Sequence, residues 1–269
     1  IVLPNSRFNQ SEISLIMYTK RTPATLIGGT AVLMWSTLAL FTTLSGDIPP
    51  FQLAAMTFSV AFILALIKWS FNPGKAITAL RHPLHIWAFG TIGLFGYHFF
   101  YFMALRNAPP VEAGLIAYMW PLLIVVCSAL LPGEKLRWFH IAGAIAGLVG
   151  TFALVSNGSF SMAGFKAEYT SGYVMALACA VTWAAYSLIS RKFGDVSSDI
   201  IGGYCGATAI LSLICHLLFE TTYLPNSSTE WLAVLALGLG PVGAAFFTWD
   251  YGVKHGHIQA LGASAYAAP

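Results

Sequence analysis

The chain has 269 residues, of which 57% are hydrophobic and only 9% are charged. Soluble domains carry roughly 25% charged residues, so this composition excludes a water-soluble globular domain. A mean hydropathy of +0.73 and long unbroken apolar runs predict an all-α polytopic membrane protein and not a β-barrel, whose strands alternate apolar and polar residues. The net charge of +3 gives no indication of a nucleic-acid partner, and we expect none.

Nine apolar segments follow one another along the chain, most of them near the ~20 residues that cross a bilayer. They are 24–44, 51–69, 84–105, 111–131, 139–155, 172–190, 199–219, 231–249 and 258–269. We interpret residues 1–23 as a cytoplasmic N-terminal extension. Met17 resembles a start, and residues 1–16 lack the basic region and cleavage site of a signal peptide.

Lysine and arginine are unevenly distributed between the loops. With the N-terminus in the cytoplasm, 11 of the 13 basic residues lie on the inner side, and only Arg106 and Lys166 lie outside. The positive-inside rule therefore predicts a cytoplasmic N-terminus. The inner set is Arg7, Lys20, Arg21, Lys68, Lys75, Arg81, Lys135, Arg137, Arg191, Lys192 and Lys254.

Much of the first half of the sequence recurs 148 residues later. This offset relates Trp35 to Trp183, Gly46-Asp47 to Gly194-Asp195, Gly90 to Gly238 and Tyr118 to Tyr266. The recurrence predicts a 5+5 inverted-repeat helix bundle, because a unit of five helices enters the membrane inverted in its second copy. The first repeat is 24–155 and the second is 172–269. The second is incomplete, so we expect the natural chain to have a tenth helix.

Aromatic residues with polar tips form the candidate substrate site. Trp35 and Trp183 lie mid-helix, where anchoring at the membrane interface does not explain them. Tyr97 and Tyr101 are four apart and share a helix face, and an ionisable His98 inside a span is a functional candidate. Packing between helices and interfacial anchoring are the alternatives. The full set is Trp35, Tyr97, His98, Tyr101, Tyr118, Trp120, Trp183, Tyr186, Trp249 and Tyr266.

Three prolines are predicted to interrupt helices. Pro121, Pro241 and Pro269 each lie within an apolar segment, where proline removes a backbone hydrogen bond and kinks a helix. The kink is either a packing feature or a gating element whose free carbonyl binds substrate.

Several charged residues have structural interpretations. Glu134 is predicted to cap the fifth helix, where the helix dipole favours a carboxylate. Asp250 and Lys254 are spaced to form an i, i+4 ion pair. Glu112 is predicted to be a capping or solvated residue at the start of the fourth helix.

The absence of fixed charge in the middle of any span favours a net-neutral zwitterion or another neutral metabolite over a cation. The four cysteines lie in apolar runs without metal-ligand spacing, so we expect no disulfide, metal or cofactor. A membrane enzyme is disfavoured because Ser264, in a superficial nucleophile elbow, has no partner histidine on a following helix. A channel is disfavoured because no charged ring is visible.

Two stretches resemble a known family. They are Ala104-Leu105-Arg106 leading to Pro121-Leu122, and 131–136 (LPGEKL) followed by Gly143, Gly147 and Gly150. They are similar to the signature of the EamA-type members of the drug/metabolite transporter superfamily. Tyr97-His98 and 117–122 (AYMWPL) resemble the YddG-type aromatic amino acid exporters within it.

The resemblance covers residues 23–269 and implies an exporter of Phe, Trp and Tyr in the bacterial inner membrane. An exporter of another neutral amino acid or metabolite, such as threonine or homoserine, is the alternative. The expected partners are a small-molecule substrate and the lipid bilayer. A monomer is compatible with the sequence, which does not define an oligomeric state.

Overall fold

The computed structural model describes residues 10–155 and 166–268, and the regular elements in these two ranges are all helical. Eight helical spans are long and apolar enough to cross a membrane. They are α1 (Arg21–Leu44), α2 (Pro50–Ser70), α3 (Leu84–Asn107), α4 (Pro110–Leu130), α5 (Trp138–Val155), α6 (Ala167–Phe193), α7 (Ile200–Phe219) and α8 (Ser228–His255). The predicted all-α polytopic membrane fold is confirmed.

The two ends of the predicted segment pattern differ from expectation. The first helix begins at Gln10 and continues through Pro23, so the predicted boundary at residue 23 lies inside a helix. The ninth segment is a short helix, α9 (Ile258–Ser264), followed by a 3-10 turn at Ala265–Ala267. Pro269 lies outside the described residues.

The offset of 148 residues also relates the contacts between helices. α1 packs mainly against α8, and its counterpart α6 packs mainly against α3, the counterpart of α8. α2 and α7 are counterparts of each other and pack together. These pairings are the ones that a two-fold pseudosymmetry between the repeats requires.

Small residues lie at the equivalent crossings of α1 with α8 and of α6 with α3. A Cβ added to Gly28 would lie 2.9 Å from the Cα of Gly252. Their counterparts, Ala176 and Ala104, are fully buried in one cluster. Membrane helices approach closely where side chains are small, so both crossings use the same packing principle.

A π-helical turn interrupts each repeat at the same position. The two turns are Ile92–Gly96 in α3 and Gly240–Ala244 in α8, which are 148 residues apart at both ends. The α-helices that follow, Tyr97–Asn107 and Ala245–His255, keep this register. A π-turn carries one extra residue and leaves backbone groups without their usual partners. The two turns therefore create matching irregularities near the centre of the bundle.

Charged residues hold α2 and α7 together at both ends. At one end Lys68 pairs with Asp199, next to the start of α7. At the other end the Glu220 carboxylate accepts the backbone N–H groups of Phe51, at 3.0 Å, and Gln52, at 3.1 Å. A carboxylate at a helix N-terminus is favoured by the helix dipole and satisfies free N–H groups. This helix pair is thus fixed at either face of the bundle.

Candidate functional site

Four tryptophans meet at the centre of the bundle, and we call them the tryptophan tetrad: Trp35, Trp120, Trp183 and Trp249. They come from α1, α4, α6 and α8, and all six ring pairs have centroids 5.1–6.4 Å apart. Most of the pairs are edge-to-face or tilted, as aromatic rings prefer. The tetrad joins helices of both repeats around the pseudo-two-fold axis.

A central cavity of about 80 Å³ lies against the tetrad. Its walls include seven residues that the sequence singled out: Trp35, Tyr97, His98, Tyr118, Trp120, Trp183 and Pro241. The other lining residues are Leu38, Val242, Phe246 and Ala268. Phe246 and Ala268 could have been predicted from the sequence, because they are the counterparts of His98 and Trp120 at the offset of 148.

The remaining predicted aromatic residues lie beside the cavity and not in its described walls. Tyr101 stacks parallel to Tyr97, with ring centroids 6.3 Å apart. Tyr186 stacks on Trp183 at 5.1 Å. Trp249 is fully buried, and its indole N–H donates to the Ser187 hydroxyl at 3.0 Å. These side chains support the rings that line the cavity.

Tyr266 and Pro121 belong to one local arrangement in α4. The helix is interrupted at Tyr118–Met119 and restarts at Trp120, so Pro121 lies in the first turn of a new segment and does not kink a continuous helix. The free N–H of Leu122 in that turn donates to the Tyr266 hydroxyl at 3.1 Å. The α4 span is therefore interrupted next to Pro121, which takes a position where proline is favoured. A gating role for Pro121 stays a prediction.

Each π-turn has one carbonyl that an aromatic side chain of the cavity satisfies. In α3, Nδ1 of His98 bonds the Leu94 carbonyl at 2.7 Å. In α8, the indole N–H of Trp35 donates to the Pro241 carbonyl at 3.0 Å. The Pro241 carbonyl thus has a protein donor. The π-turns instead orient the rings of His98 and Trp35.

The bond to Leu94 determines what His98 presents to the cavity. A carbonyl oxygen accepts hydrogen bonds but does not donate them, so the Nδ1 atom carries the proton. In the neutral ring, Nε2 is then an acceptor without a hydrogen. His98 therefore supplies an acceptor to a cavity whose other polar groups are indole and phenol donors.

The tetrad contains two kinds of tryptophan. Trp35 and Trp249 donate their N–H groups to protein acceptors. Trp120 and Trp183 make no N–H hydrogen bond to any other described residue, although both rings line the cavity. An unpaired polar group in a membrane interior costs free energy, so donors of this kind need a partner. Trp120 and Trp183 are consequently the donors available to a bound molecule.

The lining residues carry no carboxylate, ammonium or guanidinium group among the residues that the structure describes. Within residues 10–155 and 166–268, no group of three or more His, Cys, Asp or Glu is placed to hold a metal ion. The cavity is therefore an aromatic, uncharged environment with a few directed hydrogen-bonding groups, which is the usual character of a small-molecule site.

The charged residues near the helix ends give one confirmed and one wrong prediction. Lys254 pairs with Asp250 at 2.6 Å, as the i, i+4 spacing predicts. Glu134 does not cap α5. Its carboxylate pairs instead with Arg21 and Arg191 from other spans. These partners are 113 and 57 residues away in sequence, so local helix-capping rules do not detect them.

A second depression of about 400 Å³ is an apolar groove between α2, α7 and α8. Its lining residues include Met56, Val60, Ile210, Trp231 and Leu235. At the pseudosymmetric position, the counterparts of Met56 and Leu235 are Tyr204 and Trp87, whose rings are in edge-to-face contact at 5.7 Å. The groove, which both repeats line, is thus open where the pseudosymmetric position is occupied by two aromatic side chains.

An inverted pair of helical repeats that encloses an uncharged aromatic cavity defines the class of multi-pass membrane transporters. The chain belongs to the EamA-like transporter family, whose sequence profile matches residues 22–156 and 170–269. These two matched ranges correspond closely to the two predicted repeats.

Several relatives are similar to this chain. An aromatic amino acid exporter, YddG, from Ancylobacter novellus is 53% identical over 251 residues, covering 93% of this chain and 86% of the relative. The protein of the same name from Escherichia coli is 26% identical, with the same two coverages. A solved crystal structure that is 53% identical superposes with a TM-score of 0.86 and covers 93% of this chain and 86% of its own.

Proposed function

We propose that this protein exports aromatic amino acids, namely Phe, Trp and Tyr, across the bacterial inner membrane through the central cavity. The observation that carries the proposal is the composition of the cavity wall. Indole rings with unpaired N–H groups, Tyr97, Tyr118 and the acceptor atom of His98 surround a space without fixed charge. The names of two relatives, aromatic amino acid exporters, support the same substrate class.

Each part of a zwitterionic amino acid has a suitable group in the wall. The carboxylate accepts hydrogen bonds from the indole N–H groups of Trp120 and Trp183. The ammonium group donates to Nε2 of His98 and lies over aromatic faces, which attract cations. An aromatic substrate side chain packs against the indole rings, and its burial contributes roughly 1.5–3 kcal/mol.

The cavity is small for an amino acid. A buried water needs roughly 10–15 Å³, so about 80 Å³ holds several water molecules. A bound aromatic amino acid needs more room. We therefore expect the helices around the cavity to move apart when substrate enters, as alternating access demands.

Orientation is part of the proposal. From the sequence, the positive-inside rule assigns 11 of the 13 basic residues to one side, with Lys75, Arg137 and Arg191 among them, and we assign that side to the cytoplasm. Cysteine labelling of intact cells tests this assignment. Positions 166 and 226 should react with an impermeant reagent, whereas position 191 should not. Labelling of position 191 from outside would reverse the topology.

Efflux of labelled phenylalanine from proteoliposomes tests the function. Trp183→Phe and Trp120→Phe keep an aromatic ring but remove the indole N–H group together with part of the ring, so each should lower efflux by at least about tenfold, the effect of losing a hydrogen bond to a charged group. Trp138, whose side chain is 79% exposed, gives the matched control, and W138F should transport normally.

Competition defines the substrate range. Unlabelled Trp and Tyr should inhibit phenylalanine efflux more strongly than threonine or homoserine does. Equal inhibition by threonine and homoserine would instead support the alternative, an exporter of neutral amino acids in general. Normal efflux by W183F and W120F would remove the two indole donors from the proposal.

A further inference from the structure

A buried carboxylate joins four parts of the bundle at the end that carries Arg21 and Arg191. The Glu134 side chain is 5% exposed and accepts hydrogen bonds from Arg191 at 2.5 Å, Arg21 at 3.0 Å and Gln259 at 3.1 Å. These residues come from the α4–α5 loop, the end of α6, the start of α1 and α9. We call Arg21, Glu134, Arg191 and Gln259 the Glu134 network.

Backbone contacts extend the network to the α8–α9 loop. Arg191 also donates to the carbonyl oxygens of Val253 and Gly256, both at 2.8 Å. Next to it, the N–H of His257 donates to the Thr25 hydroxyl at 2.8 Å. The first and sixth spans are therefore connected to the α8–α9 loop by directed hydrogen bonds at this face.

The charge of Glu134 is what holds these partners together. Burial alone would raise the pKa of its carboxyl, but Arg191, Gln259 and Arg21 outweigh burial and lower it. The carboxylate therefore stays ionised at neutral pH. Charge-assisted hydrogen bonds are roughly twice as strong as neutral ones. A neutral residue at position 134 would leave the largely buried Arg191 guanidinium without its counter-ion.

The residues that hold Glu134 are not repeated at the offset of 148. The counterparts of Arg21, Arg191 and Gln259 are Tyr169, Thr43 and Val111. None of these three side chains carries a charge, so these described positions provide no cation for a carboxylate. The repeats thus share a backbone register but carry different side chains at these positions.

The Glu134 network and the cavity lie at different depths in the bundle. Trp183 and Arg191 lie eight residues apart on one helix, which separates them by about 12 Å at 1.5 Å per residue. The cavity residues Leu38 and Tyr97 lie on the far side of the tetrad from Arg191. The Glu134 network therefore closes the face that the cavity does not reach.

We propose that Glu134 is the gating residue of this face, and that the network must separate for the cavity to open toward it. This inference rests on the proposed transport function, because only a transporter needs to open both faces in turn. Glu134 acts through its position, as the common acceptor of three helices, and not by contact with substrate.

Reporter cysteines test the proposal in a cysteine-free background that retains the thermal stability of the parent protein. Ser190→Cys reports on the network face, since Ser190 is buried beside Arg191, and Leu38→Cys reports on the cavity side. In purified protein, Glu134→Gln should raise the rate of maleimide labelling at position 190 by about tenfold. It should also lower the rate at position 38, because the two faces open alternately.

Two further variants make the outcome decisive. Arg21→Gln removes one partner whose side chain is 32% exposed, so folding is not at risk, and it should raise labelling at position 190 by about threefold. Glu112→Gln, at the other face, should change neither rate. Faster labelling at both reporters would show general loosening and overturn the proposal, as would unchanged labelling in R21Q.

These measurements stand apart from the test of transport. Labelling is measured without substrate. An absence of phenylalanine efflux would therefore reject the proposed function, and the labelling rates would still show whether Glu134 controls opening. Conversely, normal efflux together with unchanged labelling in E134Q and R21Q would reject gating by Glu134 and leave the proposed function intact.

Discussion

The two repeats share a backbone register but provide different side chains to the cavity. Trp35 and Trp183 are counterparts, and both rings line the cavity. In contrast, His98 of the first repeat corresponds to Phe246 of the second, and Trp120 corresponds to Ala268. All four of these residues line the cavity. Most of its polar groups therefore come from the first repeat.

This difference follows from the shape of the proposed substrate. A symmetric set of polar groups would bind an amino acid equally well in two opposite orientations. An amino acid has no two-fold axis, so one polar half and one apolar half select a single orientation. The matching backbones, with a π-turn in each repeat, are what alternate opening of two faces requires. In this proposal the symmetric backbone serves the opening of the two faces, and the asymmetric side chains serve substrate recognition.

The largest expected effect comes from exchanging one counterpart pair. His98→Phe gives the first repeat the side chain of the second and removes the acceptor atom that faces the cavity. A hydrogen bond to a charged group contributes about 1.5–3 kcal/mol, so phenylalanine efflux should fall by at least about tenfold. Efflux from proteoliposomes measures this effect. Because H98F also removes the donor to the Leu94 carbonyl, thermal unfolding is measured alongside to confirm that the variant is folded.

The reciprocal exchange is the control for that experiment. Phe246→His places an acceptor in the second repeat, where Phe246 stacks on Phe58 at 5.7 Å. It should not restore efflux when combined with H98F, because the new acceptor lies on the other side of the axis. Full recovery in the double variant would show that the side from which the acceptor comes is unimportant.

The next effect concerns the two equivalent helix crossings. A Cβ at Gly252 would lie 2.5 Å from the Cα of Gly28, so Gly252→Ala forces α1 and α8 apart and should cost about 1–3 kcal/mol. At the counterpart position, Ala104→Gly creates no clash and should cost about 1 kcal/mol through helix propensity alone. Thermal unfolding in detergent, followed by fluorescence, compares the two, and an equal loss would contradict the close contact.

A smaller effect separates the two kinds of tetrad tryptophan. Trp249→Phe and Trp183→Phe both shrink a buried ring, but only W249F also removes a donor that is bonded to Ser187. W249F should therefore lower stability by about 1 kcal/mol more than W183F does, whereas W183F should lower efflux. A stability loss in W183F as large as that in W249F would indicate that Trp183 has a structural partner.

The smallest effect concerns the apolar groove between α2, α7 and α8. Leu235→Trp introduces the residue found at the counterpart position, Trp87, and should partly fill the groove. The added contacts should raise the midpoint of thermal unfolding by about 1–2 °C, equivalent to ~0.5 kcal/mol. Efflux should not change, because the groove lies outside the cavity. A decrease in stability would mean that the groove does not accept a larger ring.

The sequence predicted the spans and much of the cavity wall, because both depend on patterns that repeat. Apolar runs located the eight spans, and the offset of 148 paired the helices. The mid-helix position of Trp35 and Trp183 and the polar aromatic cluster around Tyr97 identified six lining residues, and the proline pattern identified a seventh, Pro241. These features follow from composition and spacing along single helices.

Three features depended on the three-dimensional structure. The π-turns each insert a single residue, which a hydrophobic period over a whole span does not resolve. The α4 span is interrupted at Tyr118–Met119, so Pro121 lies in the first turn of a new helical segment. Glu134 pairs with arginines from distant spans, whereas the sequence prediction considered only the helix that follows it.

The tryptophan tetrad also has an optical consequence. Six indole pairs with centroids 5.1–6.4 Å apart are close enough for their electronic transitions to couple. Their coupling adds an exciton band to the ultraviolet circular dichroism of the helices, and the band depends on the distances and angles between the rings. Because the rings belong to α1, α4, α6 and α8, relative movement of these helices alters the band. The protein thus carries its own spectroscopic reporter of opening and closing, without an attached label.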